Sequence, residues 1–552
     1  MERIVLVLIV LLAPSISIAA RLVPHTDLTY LGAFKMPSSV ESNVCYQWNG
    51  IQGFILFNPD GDSGGAADGY TGSLIVSAKI GCPTIGEIDI PAPVVGDKSS
   101  LSSSSILQAI TDMSNGDLQD VVSGNTNIGM GNAIILPSSG GNRIFGVTHK
   151  NYNTDNTSNW DEVLTSFSLD FATTLDHSGW FQVTGEYVGA VGQYAFTVPQ
   201  AWADTNTGGK TVIVGGNRFA GGGSHGVSLY AIDPWGPTEN PPVDGTDFVP
   251  TTIVEYTDGI TSMDNYGYAN QPGNLKWIED STGNASVIAN GLYFGRWRSP
   301  NDTLTSDWTQ NPTGWYYGTP HPEGTGGKGY NNEPYAFAFL LYDPDDLADS
   351  LDGTIESYEV QPYGYYNWAK YAYDEPYHVD GNPKNSGGLA YDETNHLLYV
   401  NERLVGEAGI IHVFSVADGS GALDTTVPTT PSNLALGTVT ESTIALTWTG
   451  STDTETDVTY LINLNGYPTV RTTDTSYVYG STGNFVADWR AGDEGADGYD
   501  AITEFSFTVT AVDDYFNEST ESNTVSYDYA NRNTGSMFIR TGNTFIGTGI
   551  IQ

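Results

Sequence analysis

Cysteine is almost missing from this 552-residue chain, which has only Cys45 and Cys82. No thiolate set for zinc can be assembled from two cysteines that have another use. Cations are scarce too: 20 Lys and Arg stand against 64 Asp and Glu, a net charge of −44. A field of that sign repels nucleic acid and anionic membrane surfaces, so neither is an expected partner. After residue 20 no apolar run is long enough to span a bilayer. No Gly-rich phosphate loop, serine nucleophile elbow or His-rich metal motif is present. Nor is there a long helical period beyond the first twenty residues.

What is there begins with a leader. Met1 to Ala20 carries Arg3, the apolar run Ile4 to Ala13, and small residues at Ser17 and Ala19. That is the pattern of a secretory signal peptide, so export is expected. In an exported protein an even cysteine count argues for a Cys45–Cys82 disulfide, a bond that contributes about 3–4 kcal/mol in the chain-entropy model. The acidic excess then reads first as solubility in a saline medium.

With 65 glycines and 12% aromatics, the composition is that of a turn-rich all-β protein. One three-strand pattern recurs five times. It is clearest at 387–416, where Gly388–Tyr391, Leu397–Asn401 and Ile410–Val416 are split by Asp392-Glu-Thr-Asn and by Gly406 to Gly409. In the third of these runs, His412 lies on the opposite face from Ile411 and Val413. Earlier copies open at Phe54, Asn132, Ala195 and Asn274, each with room for a fourth strand. One such unit cannot bury both faces alone, so copies must stack. Radial stacking of four-stranded sheets gives a five-bladed β-propeller over residues 27–417, closed by the strand 27–35 joining the last blade. Ser99 to Ser105 reads as a surface linker between the first and second blades, 418–424 as a Gly/Ser/Asp linker, and 529–552 as an unassigned tail with a potential strand pair. A monomer is expected.

In that architecture the connections between second and third strands open on one face, which also receives Cys45 and Cys82. These five connections are Lys79–Gly86, His149–Glu162, Asn217–Gly226, Phe294–Pro334 and Asn401–Gly409. They make up about a fifth of the stretch 27–419, yet hold seven of its 14 Lys and Arg: Lys79, Lys150, Arg218, Arg296, Arg298, Lys328 and Arg403. His149, His225 and His321 join them, beside Tyr152, Asn217 and Trp297. A cationic, aromatic-lined mouth on a strongly acidic chain suits an anionic ligand. The competing reading is that these cations neutralise nearby acids such as Asp155, Glu402 and Glu407.

Two resemblances follow from quoted residues. Thr425-Thr-Val-Pro-Thr-Thr-Pro-Ser-Asn-Leu, Ile444-Ala-Leu-Thr-Trp448, Tyr460-Leu-Ile-Asn-Leu-Asn-Gly466 and Phe505-Ser-Phe-Thr-Val-Thr-Ala-Val-Asp513 resemble a fibronectin type III domain of bacterial extracellular enzymes. The resemblance implies a β-sandwich over 425–528 that acts as a spacer or adhesion module. Phe507 stands where that family keeps its corner tyrosine, and an acidic insertion, 481–502, interrupts the module. The assembly of propeller, cations, histidines and tyrosines resembles secreted propeller polysaccharide lyases, ulvan lyases among them.

That second resemblance implies β-elimination of an anionic polysaccharide. The substrate carboxylate is neutralised by groups such as Arg218, and His149 or Tyr152 moves the proton. Lys150, Asn217, His225, Arg296, Trp297, Arg298, His321 and Arg403 would bind the chain. A propeller glycoside hydrolase is an alternative, with Glu402 and Asp62 as the acids to test. A non-catalytic lectin or adhesin is another. For calcium, Asp60-Gly-Asp-Ser-Gly-Gly and Asp345-Asp-Leu-Ala-Asp349 each offer oxygens, but both read better as turns. No other cofactor is expected.

Overall fold

The structure is a computed structural model. It describes residues 21–38, 48, 54–62, 70–77, 84–114, 128–150, 163–173, 175–184, 191–216, 226–236, 240–256, 274–294, 315–316, 330–331, 335–373, 377–378, 387–402, 408–417, 421–440, 443–464, 466–479, 504–528, 536–541 and 544–550. The leader, both cysteines and the 481–502 insertion lie outside the described residues.

The protein is all-β. Strand β1 (Leu28–Lys35) is followed by a four-stranded antiparallel sheet of β2 (Ile55–Asn58), β3 (Ser73–Ser77), β4 (Thr84–Asp89) and β5 (Ile106–Asp112). A second sheet holds β6 (Ile128–Leu136), β7 (Arg143–Lys150), β8 (Leu164–Ser168) and β9 (His177–Val183). The third holds β10 (Tyr194–Thr197), β11 (Val212–Gly216) and β12 (Ser228–Ile232). Then β13 (Thr246–Phe248) turns back to pair in parallel with β9, and β14 (Thr251–Val254) completes the third sheet. In the fourth, β15 (Asn274–Glu279) and β16 (Ala285–Phe294) precede a two-residue hairpin, β17 (Trp315–Tyr316) with β18 (Tyr330–Asn331). This sheet resumes with β19 (Tyr335–Tyr342), β20 (Gly364–Asn367) and the short β21 (Tyr377–His378). The fifth comprises β22 (Leu389–Asp392), β23 (Leu397–Glu402) and β24 (Ile410–Val416), and β1 is its fourth strand.

The first strands of the five sheets touch in a closed cycle, β2 to β6 to β10 to β15 to β22 and back to β2. The ring is closed by β1, which pairs antiparallel with β24 from Leu28 opposite Val416 to Lys35 opposite Ile410, the pairing expected from the sequence. Such closure covers the edge that β24 would otherwise present. Apolar side chains fill the seams between neighbouring sheets, for example Phe34, Ile55, Val76, Tyr399 and Ile411 between the fifth and first.

The centre of the ring is polar. Asn132 on β6 and Asn274 on β15 are both fully buried. The Asn132 amide donates to Asn274 Oδ1 and to the Ala195 carbonyl (2.8 Å). Asn274 donates back to Asn132 Oδ1 (3.0 Å) and reaches the Leu389 carbonyl (3.2 Å). Each Oδ1 also accepts the next residue's N–H, from Ala133 and Leu275. Four of the five sheets are therefore tied by two fully satisfied amides. The inner strands approach so closely that a Cβ on Gly388 would lie 2.3 Å from the Ile55 nitrogen, and one on Gly131 2.2 Å from the Gly192 carbonyl.

Two expectations from the sequence need correction. The serine run 99–105 does not link the first and second sheets: it joins β4 to β5 within the first. Leu101 is buried, and Lys35 exchanges backbone bonds with Ser102 and Ser104, because β1 would otherwise present an unpaired edge. Asp345–Asp349 is helical rather than a turn or a calcium loop. It lies in the helix Pro344–Asp352, which Asp343 caps by accepting the Asp345 N–H, and which ends at Gly353 with φ 80°.

Beyond residue 421 lie two further sheets. One contains β25 (Ser432–Val439), β26 (Ile444–Thr449) and, after its partners, β29 (Ser476–Tyr479). The other contains β27 (Thr459–Leu464), β28 (Tyr467–Thr472), β30 (Glu504–Val512), β31 (Val525–Asp528), β32 (Ser536–Thr541) and β33 (Thr544–Ile550). Leu446 and Trp448 from the first pack with Ile462, Phe507 and Val509 from the second. The tail is a strand pair, β32 with β33, as the sequence suggested. This unit docks on the ring through the turn 513–517. Phe516 stacks on Tyr293 with centroids 3.6 Å apart, and Lys370 bonds Asp514 at 2.7 Å and Asp457 at 2.9 Å. The connecting stretch is packed as well: Asp424 is buried, and Gly421 abuts Thr26.

Two stability predictions follow from this architecture. Asn132→Ala strands the Asn274 amide in the core and should lower unfolding free energy by about 1–3 kcal/mol in urea titrations; an unchanged midpoint would contradict the clasp. The second concerns Asp513. Burial pushes its carboxyl up to about 7, against the pull of Asn517 and Tyr515 N–H donors, and Asp424 adds to the rise. A raised folded-state value favours the protonated form. Stability from this group is thus fully present below about pH 4, is lost as pH rises toward 7, and changes no further above. Midpoints of wild type minus Asp513→Asn should fall across pH 4–7, and a flat difference would refute the assignment.

Candidate functional site

The antiparallel registers put the ends of all second strands beside the beginnings of all first strands. Val76 faces Ile55, Thr148 faces Met130, Gly215 faces Tyr194, Asn290 faces Asn274, and Val400 faces Leu389. The five connections singled out in the sequence therefore all leave from this one end, here termed the mouth. His149 and Lys150 are the last two residues of β7, opposite Gly129 and Ile128. Asn217 and Arg218 follow directly on β11, Arg403 follows β23, and His225 precedes β12. Tyr152, Asn217, Arg218, His225, Arg296, Trp297, Arg298, His321 and Arg403 lie outside the described residues.

The described part of the mouth is best developed on the fifth sheet, at residues the sequence reading largely passed over. His412 on β24 and Glu402 at the end of β23 are both buried, with Nε2 2.9 Å from Oε2. The Tyr373 N–H donates to both carboxylate oxygens at 3.0 Å. Its ring lies over the imidazole, 5.7 Å between centroids and 22° from parallel. On the other side of the imidazole, Tyr30 places its hydroxyl 3.1 Å from Nδ1. Tyr371 stacks on Tyr30 at 4.1 Å. Trp368 closes the back, its indole N–H donating to Asn290 Oδ1 (3.0 Å), while the Asn290 amide donates to the Gly387 carbonyl.

Burial pushes the Tyr30 hydroxyl well above the ordinary phenol range, with Tyr373 and Glu402 adding to the effect. The Tyr371 hydroxyl is raised too, by burial, against the pull of Lys370. The geometry is a relay: a carboxylate, an imidazole that bonds at both nitrogens, and a phenol. With Nε2–H donating to Glu402, Nδ1 accepts a hydrogen bond from the Tyr30 O–H. Glu402 is thus committed to His412 and Tyr373, which does not suit the free acid that a hydrolase needs.

Asn401, next to Glu402, points the other way, toward the seam with the first sheet. It is fully buried, and neither carboxamide atom has a hydrogen-bond partner among the described residues. Gly387 and Gly409 crowd it: a Cβ on Gly387 would sit 2.6 Å from its Cγ. The sequence signals were present but weak. Asn401-Glu402 ends an apolar strand, and His412 interrupts another; their partners come from 29 and 382 residues away.

Among the described residues one group of carboxylates is compact enough to hold a cation: Asp424, Asp453 and Glu455, in the C-terminal unit, with ligand oxygens within 4.8 Å of one another. Of the calcium loops considered from sequence, 345–349 is helical, and Asp60 is engaged by its N–H with Asn58 Oδ1 (3.3 Å). No described helix is long and apolar enough to cross a membrane.

No family model matches this chain, and no curated protein matches it. Solved structures give distant likenesses. The Clostridium perfringens spore cortex lytic enzyme SleM is 13% identical with a TM-score of 0.14, covering 27% of this chain and 41% of its own. A structure from the GH130 family of mannoside phosphorylases, described as containing glycoside hydrolases that target β-1,2 mannosidic linkages in Candida mannan, is 10% identical. Its TM-score is 0.34, over 71% of this chain and 97% of that one. The PQQ domain of pyranose dehydrogenase from Coprinopsis cinerea is 12% identical with a TM-score of 0.31, over 71% and 98%. The chain spans about two fifths of the lytic enzyme's length. At these scores the likenesses carry no weight for activity.

A stability prediction tests the relay. Glu402→Ala leaves the buried His412 and the Tyr373 N–H without their acceptor, and should cost about 2–4 kcal/mol in urea unfolding. Glu402→Gln, which keeps an acceptor, should cost less. A loss under about 0.5 kcal/mol for the alanine variant, the scale of a surface change, would show that the relay is not formed.

Proposed function

We propose that this is a secreted protein that engages an anionic polysaccharide at the mouth of a five-bladed β-propeller, residues 27–417. In this reading 418–424 is the connector, 425–528 a fibronectin type III sandwich, and 529–552 its strand-pair extension. The observation that carries it is charge placement: half of the ring's Lys and Arg belong to connections that leave the same end of the five sheets. In a molecule of net charge −44 this gives a polyanion one place to bind. The aromatic and polar groups around Glu402 and His412 lie at that same end and support the reading, since sugar rings stack on aromatic faces.

β-Elimination is the chemistry that this residue set serves best. A cation or amide, Arg218 or Asn217, neutralises the uronate carboxylate and acidifies its α-proton. His149 or Tyr152 takes that proton, the C–O bond at the β-carbon breaks, and the leaving oxygen is protonated, which leaves an unsaturated uronate end. The alternative is a lectin using the same mouth without turnover. A hydrolase is disfavoured at Glu402 by its engagement with His412.

The test is retention and turnover on uronate, sulfated and neutral glycans. Arg218→Ala and Arg296→Ala should each weaken retention of acidic glycans about tenfold, with unfolding midpoints unchanged. Near-ultraviolet absorbance of unsaturated ends should vanish in His149→Ala or Tyr152→Phe. Equal binding of neutral glycans, with no effect of the arginine substitutions, would overturn the anionic reading.

A further inference from the structure

We infer that the C-terminal two-sheet unit is a positioning element for the mouth, acting through the turn 513–517 on the segment 364–373. The inference rests on the reading of the mouth as the binding site, and it goes beyond that reading by giving the appended unit a role in the site rather than a spacer's role.

The segment is held at two ends by different partners. At its start, the Asn367 N–H donates to the Asp514 carbonyl (2.7 Å), and Tyr366 packs edge-on against Tyr515, 5.5 Å between centroids. Lys370 is then clamped by Asp514 and Asp457. At its far end the same ten residues supply the walls of the relay: Trp368 behind His412, Tyr371 on Tyr30, and Tyr373 on both His412 and Glu402. No long loop separates the two ends. Only Ala372 stands between the residue stacked on Tyr30 and the one that holds the carboxylate, so displacement at Lys370 must move the walls.

The turn is built for docking. Phe516 has φ 61°, a left-handed conformation that costs a non-glycine residue free energy. It is held there by stacking on Tyr293 and by the Arg471 guanidinium 5.5 Å from its ring. Val512 and Phe516 share one continuous apolar core with the third, fourth and fifth sheets. Asp514 is buried, and its Oδ2 meets Lys370. A free-standing spacer would need neither the strained turn nor the ion pair.

The test uses the full chain and three variants: Phe516→Ala, Lys370→Met, and the double variant Lys370→Met with Asp514→Asn. The primary readout is the His412 imidazole resonance, assigned by its loss in His412→Asn. It senses the rings of Tyr373 and Trp368 and needs no glycan. The second readout is retention on immobilised alginate, a uronate polymer. Phe516→Ala and Lys370→Met should shift the His412 signal and weaken retention about fivefold. Adding Asp514→Asn to Lys370→Met removes the stranded carboxylate and should recover the unfolding midpoint, while the His412 signal stays shifted and retention stays weak because the clamp is still missing; recovery of all three together would mark a folding defect and overturn the inference. If the single variants lower the unfolding midpoint but leave the His412 signal unmoved, the unit is merely structural and the inference is overturned. If the signal moves while wild type itself ignores alginate and other acidic glycans, positioning stands and the reading of the mouth falls.

Discussion

Two asparagine side chains crossing the axis of the ring set the constraint on which the rest depends. Each has a donor and an acceptor side, so Asn132 and Asn274 can bond to each other and still reach the carbonyls of Ala195 and Leu389. A leucine pair would fill similar volume but leave those carbonyls without partners in a buried place. Because the amides are short, the five inner strands must come close, and the glycines at 131 and 388 let them. The radius of the ring at its narrowest point is thereby fixed, and with it the direction in which every second strand leaves. The mouth inherits its geometry from that layer: Asn290, Asn401 and Glu402 lie level with the clasp or one residue beyond it.

A second constraint operates at the outer rim. Closure by β1 does more than remove an edge. It brings Tyr30 against His412, and it gives the stretch 94–104 a backbone to pair with. The C-terminal unit then packs on the segment 364–373, with Tyr515 against Tyr366 and Asp514 on Asn367 and Lys370. Burial there is expensive for the acids involved. Asp514 is raised to about 6 by desolvation even with Lys370 beside it. Burial pulls Lys370 down, but Tyr366 and Asp514 raise it further, so its charge is secure. An ion pair that costs desolvation on both sides adds little net stability, yet breaking one partner is severe. Its main effect is to set where the segment sits.

What could be read from the sequence divides along the same physical lines. Strand triplets such as 389–392, 397–402 and 410–416 were legible because alternation and turn residues are local properties. So was the pairing of β1, since a repeat lacking its fourth strand needs one from elsewhere. The helix Pro344–Asp352 was missed although its capping aspartate, its N-terminal proline and Gly353 were all present. An acid-rich stretch was read for its charge instead of its order. The relay of Tyr30, His412, Glu402 and Tyr373 was not legible. Glu402 and His412 meet within one hairpin, but only ring closure brings Tyr30 to them and only the 364–373 segment brings Tyr373.

The charge distribution connects these levels. A chain with 64 acids and 20 bases cannot attract a polyanion over distance, because beyond about 8 Å in physiological salt the screened field is small and inside that range it is mostly repulsive. Binding of an acidic glycan must then be a short-range event, in which sugar rings first meet aromatic faces and carboxylates then find the few cations. Association should be slow for so charged a ligand, and added salt should raise the on-rate by screening repulsion while it raises the off-rate by weakening the local pairs. A ligand held only by nonspecific attraction would show a falling on-rate instead. The opposite salt dependence of the two rates is therefore the kinetic signature of a cationic mouth on an acidic body.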